Sequence, residues 1–455
     1  MPHTSDVATL EERLNHPQHA MRLRALHELK HLADAGKVSV DPERPWVNVH
    51  CHSTYSYNAH GFSVSRVAWE CYRRGLAVAG IVDFDVLDGV DEALEASDAL
   101  NYRLTAGLES RVYVEDFDGV VLNSPNEPAI AYYMGQGFVK APAPGSRAER
   151  TLKSMASCAV KRNRALVERV NAHLEEVVLD YERDVLPLTP SGNATERHIC
   201  EAYDLKGREV FPDRVRRARF WAGRLFVSEP DVARIMDAPV PFRDMIRKKL
   251  MKVGSPGYAT PEPANFPTLA EAVSMIRESG ALPMYAWMDG TTAGEEDTEL
   301  LIDYFCGAGQ AGINIIPDRN WNLRDPDEKA LKVSRLNEIV KAARGRHLPI
   351  SVGTEMNRST QPIVDRFDAP PMKPHAQTFL EGARIIWGHS LLMRHGGFGY
   401  LSEAADDAFR RDPVRKNAFF AEVGAKPAPH GRSLAALRDA CRAGSAKAIL
   451  SALEG

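Results

Sequence analysis

Residues 47–53 read VNVHCHS, a short β-branched run that carries two histidines two positions apart. The run predicts a β-strand, in which residues i and i+2 point to the same face. His50 and His52 can therefore present two imidazoles to one point in space. Neutral imidazole is the commonest side-chain ligand for metals, so the pair is a candidate for half of a metal site. The alternative is a pair of histidines on a solvated strand face.

Outward from this run, short apolar segments alternate with segments of helical periodicity. The predicted strands are residues 46–50, 76–85, 102–110, 281–287, 311–317 and 348–356, and the helices predicted between them are residues 63–74, 90–100, 297–306 and 329–344. Runs that are apolar on both faces, such as AVAGIV, are typical of parallel strands covered by helices. The alternation predicts an α/β barrel.

The remaining segments have a helical character. Leucines at helical spacing mark the N-terminus, and a stretch rich in Arg, Lys, Glu and Leu separates the two halves of the barrel. The predicted organisation is an N-terminal helical lead (1–44), the first part of the barrel (45–145), a helical insertion (146–255), the second part of the barrel (256–411) and a C-terminal helical tail (412–455).

The composition excludes several classes of protein. The chain has 455 residues, 44% of them hydrophobic and 26% charged, and a net charge of −4, so no global basic field implies nucleic acid as a partner. The six cysteines form no CxxC pair, and the N-terminus has no apolar signal region. These features predict free thiols in a reducing cytoplasm. No apolar stretch approaches the roughly 18 to 20 residues of a membrane span.

Imidazole and carboxylate side chains fall at the ends of the predicted strands, where parallel α/β folds form their sites. The first strand ends in the histidine pair, and the residues at later strand ends are Asp83, Asp85, Glu109, Glu355 and Asn357. Each carboxylate alone could equally cap a helix or pair with an arginine. Together, mixed nitrogen and oxygen ligands suit zinc, manganese or iron better than calcium or magnesium.

Three motifs carry a resemblance to a known family. VNVHCHSTYSYNAHG, GLAVAGIVDFDVLDGVDEA and LTAGLES resemble the opening of the PHP (polymerase and histidinol phosphatase) superfamily, with its HxH strand, its Asp-His-Asp strand end and its Gly-x-Glu strand. The resemblance covers residues 47–109 and is fainter over 281–357. It implies a distorted seven-stranded, TIM-like β/α barrel and metal-dependent phosphoester hydrolysis with up to three clustered metal ions.

The resemblance also implies a ligand set. It assigns one metal to His50, His52, Glu109 and Glu355, the last a longer carboxylate than the aspartate usual in the family. Other ligands of the family are replaced in this chain, at Phe84, Trp287 and Asn357. The sequence therefore predicts one retained metal position.

Fewer metals leave phosphate oxygens to be neutralised by other groups, and the arginine fork matches phosphate geometry. Arg197 in TPSGNATERHI (189–199) and Arg319 in IIPDRNWNLRDPDEK (315–329) are the predicted phosphate clamps. Asp318 and Asn357 are further candidates for substrate binding, and Arg358 could touch substrate or form a salt bridge.

Two residues are predicted to take part in catalysis. Asp83, or Asp85 beside it, would orient the attacking water or fix a ligand imidazole. His198, in the first turn of a predicted helix of the insertion, would replace a missing ligand or act as general acid.

The sequence thus predicts a hydrolase that uses a divalent transition metal to activate water, most simply a phosphoesterase acting on a small phosphorylated molecule. Two alternatives stay open. One is a non-catalytic metal-binding or regulatory protein that keeps the barrel. The other is a single-metal enzyme of the amidohydrolase type, acting on C–N or C–O bonds.

Overall fold

A seven-stranded sheet rolled into a barrel forms the centre of the computed structural model, which describes residues 6–454. The first five residues of the predicted lead and Gly455 of the predicted tail lie outside the described residues. The strands are β1 (Arg44–Cys51), β2 (Leu76–Phe84), β3 (Leu104–Tyr113), β4 (Ile130–Gln136), β5 (Leu282–Trp287), β6 (Gly312–Ile315) and β7 (Ile350–Val352). The prediction of a distorted α/β barrel is confirmed.

The strands follow one another around the sheet in chain order. β4 runs antiparallel to both of its neighbours, whereas the other adjacent strands are parallel. The barrel closes where the backbone N–H of Glu355 donates to His50 O and the N–H of His52 donates to Glu355 O, both at 2.8 Å. This seam lies beside the predicted metal ligands.

Eighteen α-helices are found in residues 6–454. The first nine are α1 (Val7–Arg13), α2 (His19–Asp34), α3 (Val64–Arg73), α4 (Val90–Leu100), α5 (Arg147–Leu174), α6 (Glu196–Val210), α7 (Arg214–Leu225), α8 (Glu229–Ile235) and α9 (Pro239–Leu250). The others are α10 (Leu269–Glu278), α11 (Thr298–Gly307), α12 (Asp318–Trp321), α13 (Pro326–Gly345), α14 (Ala376–Gly396), α15 (Glu403–Ala408), α16 (Pro413–Gly424), α17 (Gly431–Arg442) and α18 (Ala446–Ala452).

Side-chain caps fix where several helices begin. Ser63, Thr195 and Asp297 each accept a backbone N–H from the first turn of α3, α6 and α11. These contacts satisfy amide groups that have no partner inside the helix. The helix starts predicted at residues 63 and 297 agree with these caps.

Helices α5 to α9 build a second apolar cluster between the two halves of the barrel. Its fully buried members include Val170, Tyr203, Trp221, Phe242 and Ile246. Because these side chains pack on one another, the helices can hold a fixed shape above the barrel instead of lying singly on its surface. No helix in the described range is long and apolar enough to cross a membrane.

Helix α14 lies unusually close to the barrel. A Cβ atom at Gly382 would lie 1.9 Å from the carbonyl oxygen of Ile350 in β7. A glycine at this position therefore sets the distance between the longest helix of the C-terminal half and the sheet.

Candidate metal centre

His50, His52 and Glu109 meet at the mouth of the barrel. The Nε2 atoms of His50 and His52 lie 3.5 and 3.4 Å from Glu109 Oε2, and all three side chains are buried. Within residues 6–454, these three atoms have no hydrogen-bond partner. Buried polar atoms without partners are costly, and a cation between them removes that cost. The chemistry of this triad fits a divalent transition metal.

The imidazoles and the carboxylate of the triad stabilise one another's charged forms. Burial alone would raise the pKa of Glu109, but His50 and His52 outweigh burial and lower that pKa to about 2. Burial opposes the charged form of His50 as well, yet Glu109 raises the pKa of His50 above its ordinary value. The site is thus built around an ionised carboxylate.

Asn314 orients His50. The Nδ1 atom of His50 lies 3.0 Å from Asn314 Oδ1, while the amide nitrogen of Asn314 donates to Ser351 Oγ at 2.8 Å. Because an amide oxygen can only accept, Nδ1 of His50 carries the proton and Nε2 keeps its lone pair for a metal. Gly353 leaves room for this ring, since a Cβ there would lie 2.4 Å from His50 Cβ.

A serine and an aspartate orient His52. The hydroxyl of Ser56 donates to Asp83 Oδ1 at 2.5 Å and therefore accepts from His52 Nδ1, 3.1 Å away. Asp83 also accepts from the backbone N–H and the hydroxyl of Ser53 at 2.8 and 2.6 Å. Asp83 is thus a positioning residue behind His52. Its carboxylate is held by Ser53 and Ser56, and its role in orienting the attacking water stays a prediction.

Replacing Ser56 with alanine should weaken metal binding by about 10- to 100-fold, the usual effect of removing a group that orients a ligand. The measurement is metal affinity by competition with a chromogenic chelator. Ser65→Ala is a matched control, because the Ser65 hydroxyl also donates to a buried carboxylate, Glu92, but away from the site. Equal affinities of the two variants would contradict the role of Ser56.

Phe84 closes the side of the site where the resemblance expects a further metal ligand. Its ring stacks on His52 with centroids 4.3 Å apart and an angle of 23° between the planes. An apolar ring in this place gives no electron pair to a second metal. Phe84, which the sequence predicts to replace that ligand, instead packs against His52 and holds its ring.

Glu355 lies outside the cluster of His50, His52 and Glu109, and its role as the fourth ligand stays a prediction. Both carboxylate oxygens accept from Arg319 Nη2, at 2.9 and 2.7 Å, and Gln361 donates to Oε2 at 2.8 Å. The backbone at Glu355 and Met356 is left-handed, with φ of 61° and 58°. Such strain persists only where surrounding contacts hold it, and the seam of the barrel supplies them here.

A cavity of about 370 Å³ lies between the mouth of the barrel and helices α5 to α9. Among the predicted site residues, those that line it are Glu109, Arg197, Arg319, Glu355 and Asn357. Asp85 lines it too, and burial raises the pKa of this carboxyl. Seven cationic side chains face five carboxylates around this space. The cavity therefore favours an anionic ligand.

Two of the predicted residues serve the local structure. His198 Nδ1 accepts from the backbone N–H of Thr195 at 3.1 Å, and burial lowers the pKa of His198 to about 4. Asp318 accepts from the side chain of Asn322 at 2.9 Å. Neither side chain lines the cavity. The Nδ1 atom of His198 caps α6, and its role as a ligand or general acid stays a prediction.

Asn193 is a residue of the site that the sequence did not single out. Its side-chain nitrogen donates to the carbonyl oxygens of Phe84 and Tyr55, at 2.7 and 3.1 Å. These bonds attach the loop before α6 to the rim of the barrel. Asn193 lies inside the motif TPSGNATERHI, so the motif marks a docking point for the insertion.

No protein-family model and no curated protein matches the chain. Two solved structures are similar to the chain at low identity. One, from Bifidobacterium adolescentis and assigned as a metal-dependent phosphoesterase, is 16% identical, with a TM-score of 0.46 over 70% of this chain and 91% of that one. The other, an amidohydrolase from Chromobacterium violaceum with bound sulfate and no metal, is 17% identical, with a TM-score of 0.46 over 74% and 96%. Neither likeness bears on the reaction of this chain.

Proposed function

We propose that this protein is a metal-dependent hydrolase of phosphoesters that uses one divalent transition metal. The proposal rests on one observation. Three buried ligand atoms of His50, His52 and Glu109 have no hydrogen-bond partner in the described part of the chain and lie beside a cation-rich cavity. A metal held by these residues would supply Lewis-acid activation of a water and of a phosphoryl oxygen. Zinc, manganese and iron suit the two imidazoles and one carboxylate.

The chain's own residues provide the remaining positive charge. Arg319 is held by the two oxygens of Glu355, so its guanidinium is fixed at the cavity wall before any substrate arrives. A preorganised cation of this kind stabilises charge on phosphate oxygens without reorganisation. Arg319 would supply positive charge that additional metal ions supply in multi-metal sites.

Arg358 is the second phosphate-binding residue of the proposal. It lines the cavity with Arg319, and it forms no ion pair with a carboxylate of residues 6–454. Burial, and then the neighbouring Arg319, lower the pKa of its guanidinium. Asn357 lines the same wall and can donate to a phosphate oxygen.

Arg358→Gln should reduce kcat/KM for phosphoesters by about 10- to 100-fold, as expected for the loss of a charge-assisted hydrogen bond. Because Arg358 has no carboxylate partner, thermal stability should stay within a degree or so of the wild type. Arg366→Gln, at an exposed arginine of the same loop, is the control. The role of Arg358 is wrong if both variants keep wild-type kinetics.

The decisive experiment combines metal analysis with a substrate panel. Purified protein should contain about one transition metal per chain, and metal-loaded protein should hydrolyse phosphoesters but not amides or lactones. Turnover of amides or lactones alone would replace the proposal with an amidohydrolase-type reaction. Bound metal without turnover of any of the three classes would indicate the non-catalytic alternative.

A further inference from the structure

The cavity has a second cationic end, away from the metal triad. Arg162 of α5 lines this end, and it forms no salt bridge with a carboxylate in the described part of the chain. Its Nε atom is buried without a hydrogen-bond partner. Five of the seven cations of the cavity have carboxylate partners, and Arg162 and Arg358 are the two that do not.

Neutral groups hold the guanidinium of Arg162 in place, and the nearby buried Asp85 favours its charged form without forming a salt bridge with it. One nitrogen donates to the carbonyl oxygen of Asn265 at 2.6 Å, and the guanidinium lies over the ring of Phe266, 4.4 Å from its centroid. Arg111 lies 5.3 Å from the centroid of the same ring. Burial and this second arginine lower the pKa of Arg162 to about 10. A buried cation beside another cation is costly unless an anion joins them.

The two cationic ends are separated along strand β3. Glu109 of the triad and Arg111 are two residues apart on that strand and both line the cavity. At about 3.3 Å per residue, the backbone positions of Glu109 and Arg111 are roughly 7 Å apart. Among residues 6–454, the cavity holds a second arginine without a carboxylate partner, Arg162, in addition to Arg358.

We propose that Arg162, together with Arg111, forms an oxyanion-binding subsite that receives a second anionic group of the substrate. The second group is a phosphate or a carboxylate, since both match the planar donor fork of arginine. Its assignment to the substrate rests on the proposed function, whereas anion binding at Arg162 can be tested without it. On this view the helical insertion selects substrates by charge.

The test is calorimetric titration of the metal-free, full-length protein with inorganic phosphate and with malonate in separate arms. The wild type should bind at least one of them, and Arg162→Gln should weaken that binding by about tenfold or more. Arg164→Gln is the matched control, because Arg164 lies two residues along the same helix and pairs with Glu182 outside the cavity. Arg162→Lys keeps the charge without the fork and should lose affinity severalfold.

The titrations either support or overturn the anion-binding subsite. Weaker binding of either anion by Arg162→Gln, with Arg164→Gln unchanged, supports the subsite, and the stronger arm identifies the preferred group. No binding by the wild type, or binding that falls in Arg358→Gln but not in either Arg162 variant, overturns it. Metal content and turnover are measured on separate samples, so a failure of the proposed function is distinguishable from a failure of the subsite.

Discussion

Glu109→Gln is expected to remove the bound metal and to lower phosphoester hydrolysis by about a thousandfold, or ~4 kcal/mol in the barrier. Glutamine has the shape of glutamate, so the packing around the triad is preserved. It lacks the negative charge that lies 3.4 to 3.5 Å from the two imidazole nitrogens. Metal content by mass spectrometry and initial rates on the same sample measure the two effects.

Glu127→Gln is the control for this prediction. Glu127 lines the same cavity but pairs with Arg111 at 2.9 Å and takes no part in the triad. This variant should retain about one metal per chain. If Glu109→Gln keeps the metal content of the wild type, the triad is not the metal site and the proposed function is wrong.

Gly382→Ala is expected to destabilise the protein by about 3 kcal/mol or more, at the upper end of the overpacking range. The added methyl group would lie 1.9 Å from the backbone carbonyl oxygen of Ile350. A backbone carbonyl in a barrel strand cannot turn aside as a flexible side chain can, so α14 must move away from β7. The free energy of unfolding in urea measures the loss.

Gly223→Ala tests the same substitution where there is room. Gly223 lies inside α7, and a Cβ there would meet nothing within 4 Å. Alanine is favoured over glycine in a helix, so this variant should gain up to about 1 kcal/mol. Equal stability of the two alanine variants would contradict the close packing of α14 on β7.

The sequence was sufficient to predict most of the barrel, because parallel strands and their covering helices alternate with a clear period. The strand it missed is β4, which is antiparallel to both neighbours and is not flanked by helices of the same rhythm. Its segment IAYYMGQ has one β-branched residue and two tyrosines, and it stands between loops rich in glycine and proline.

The site was predictable only where position along a strand determines what a side chain meets. His50, His52 and Glu109 come together because they lie at the ends of neighbouring strands. Glu355 lies at a strand end as well, but its carboxylate is taken by Arg319, whose four-residue helix has no sequence signal. The orienting role of Ser56 depends on contacts that only the folded chain creates.

The three residues of the triad lie in one short segment of the sequence. His50, His52 and Glu109, with Ser56 and Asp83 behind them, all lie within 60 consecutive residues, whereas Arg162 and the helices around it belong to a separate segment. On the proposed subsite, mutations in that segment are expected to change anion binding without disturbing the imidazoles. If the proposed function and subsite are correct, the metal ligands and Arg162 are encoded in different segments, so one can vary while the other is held constant.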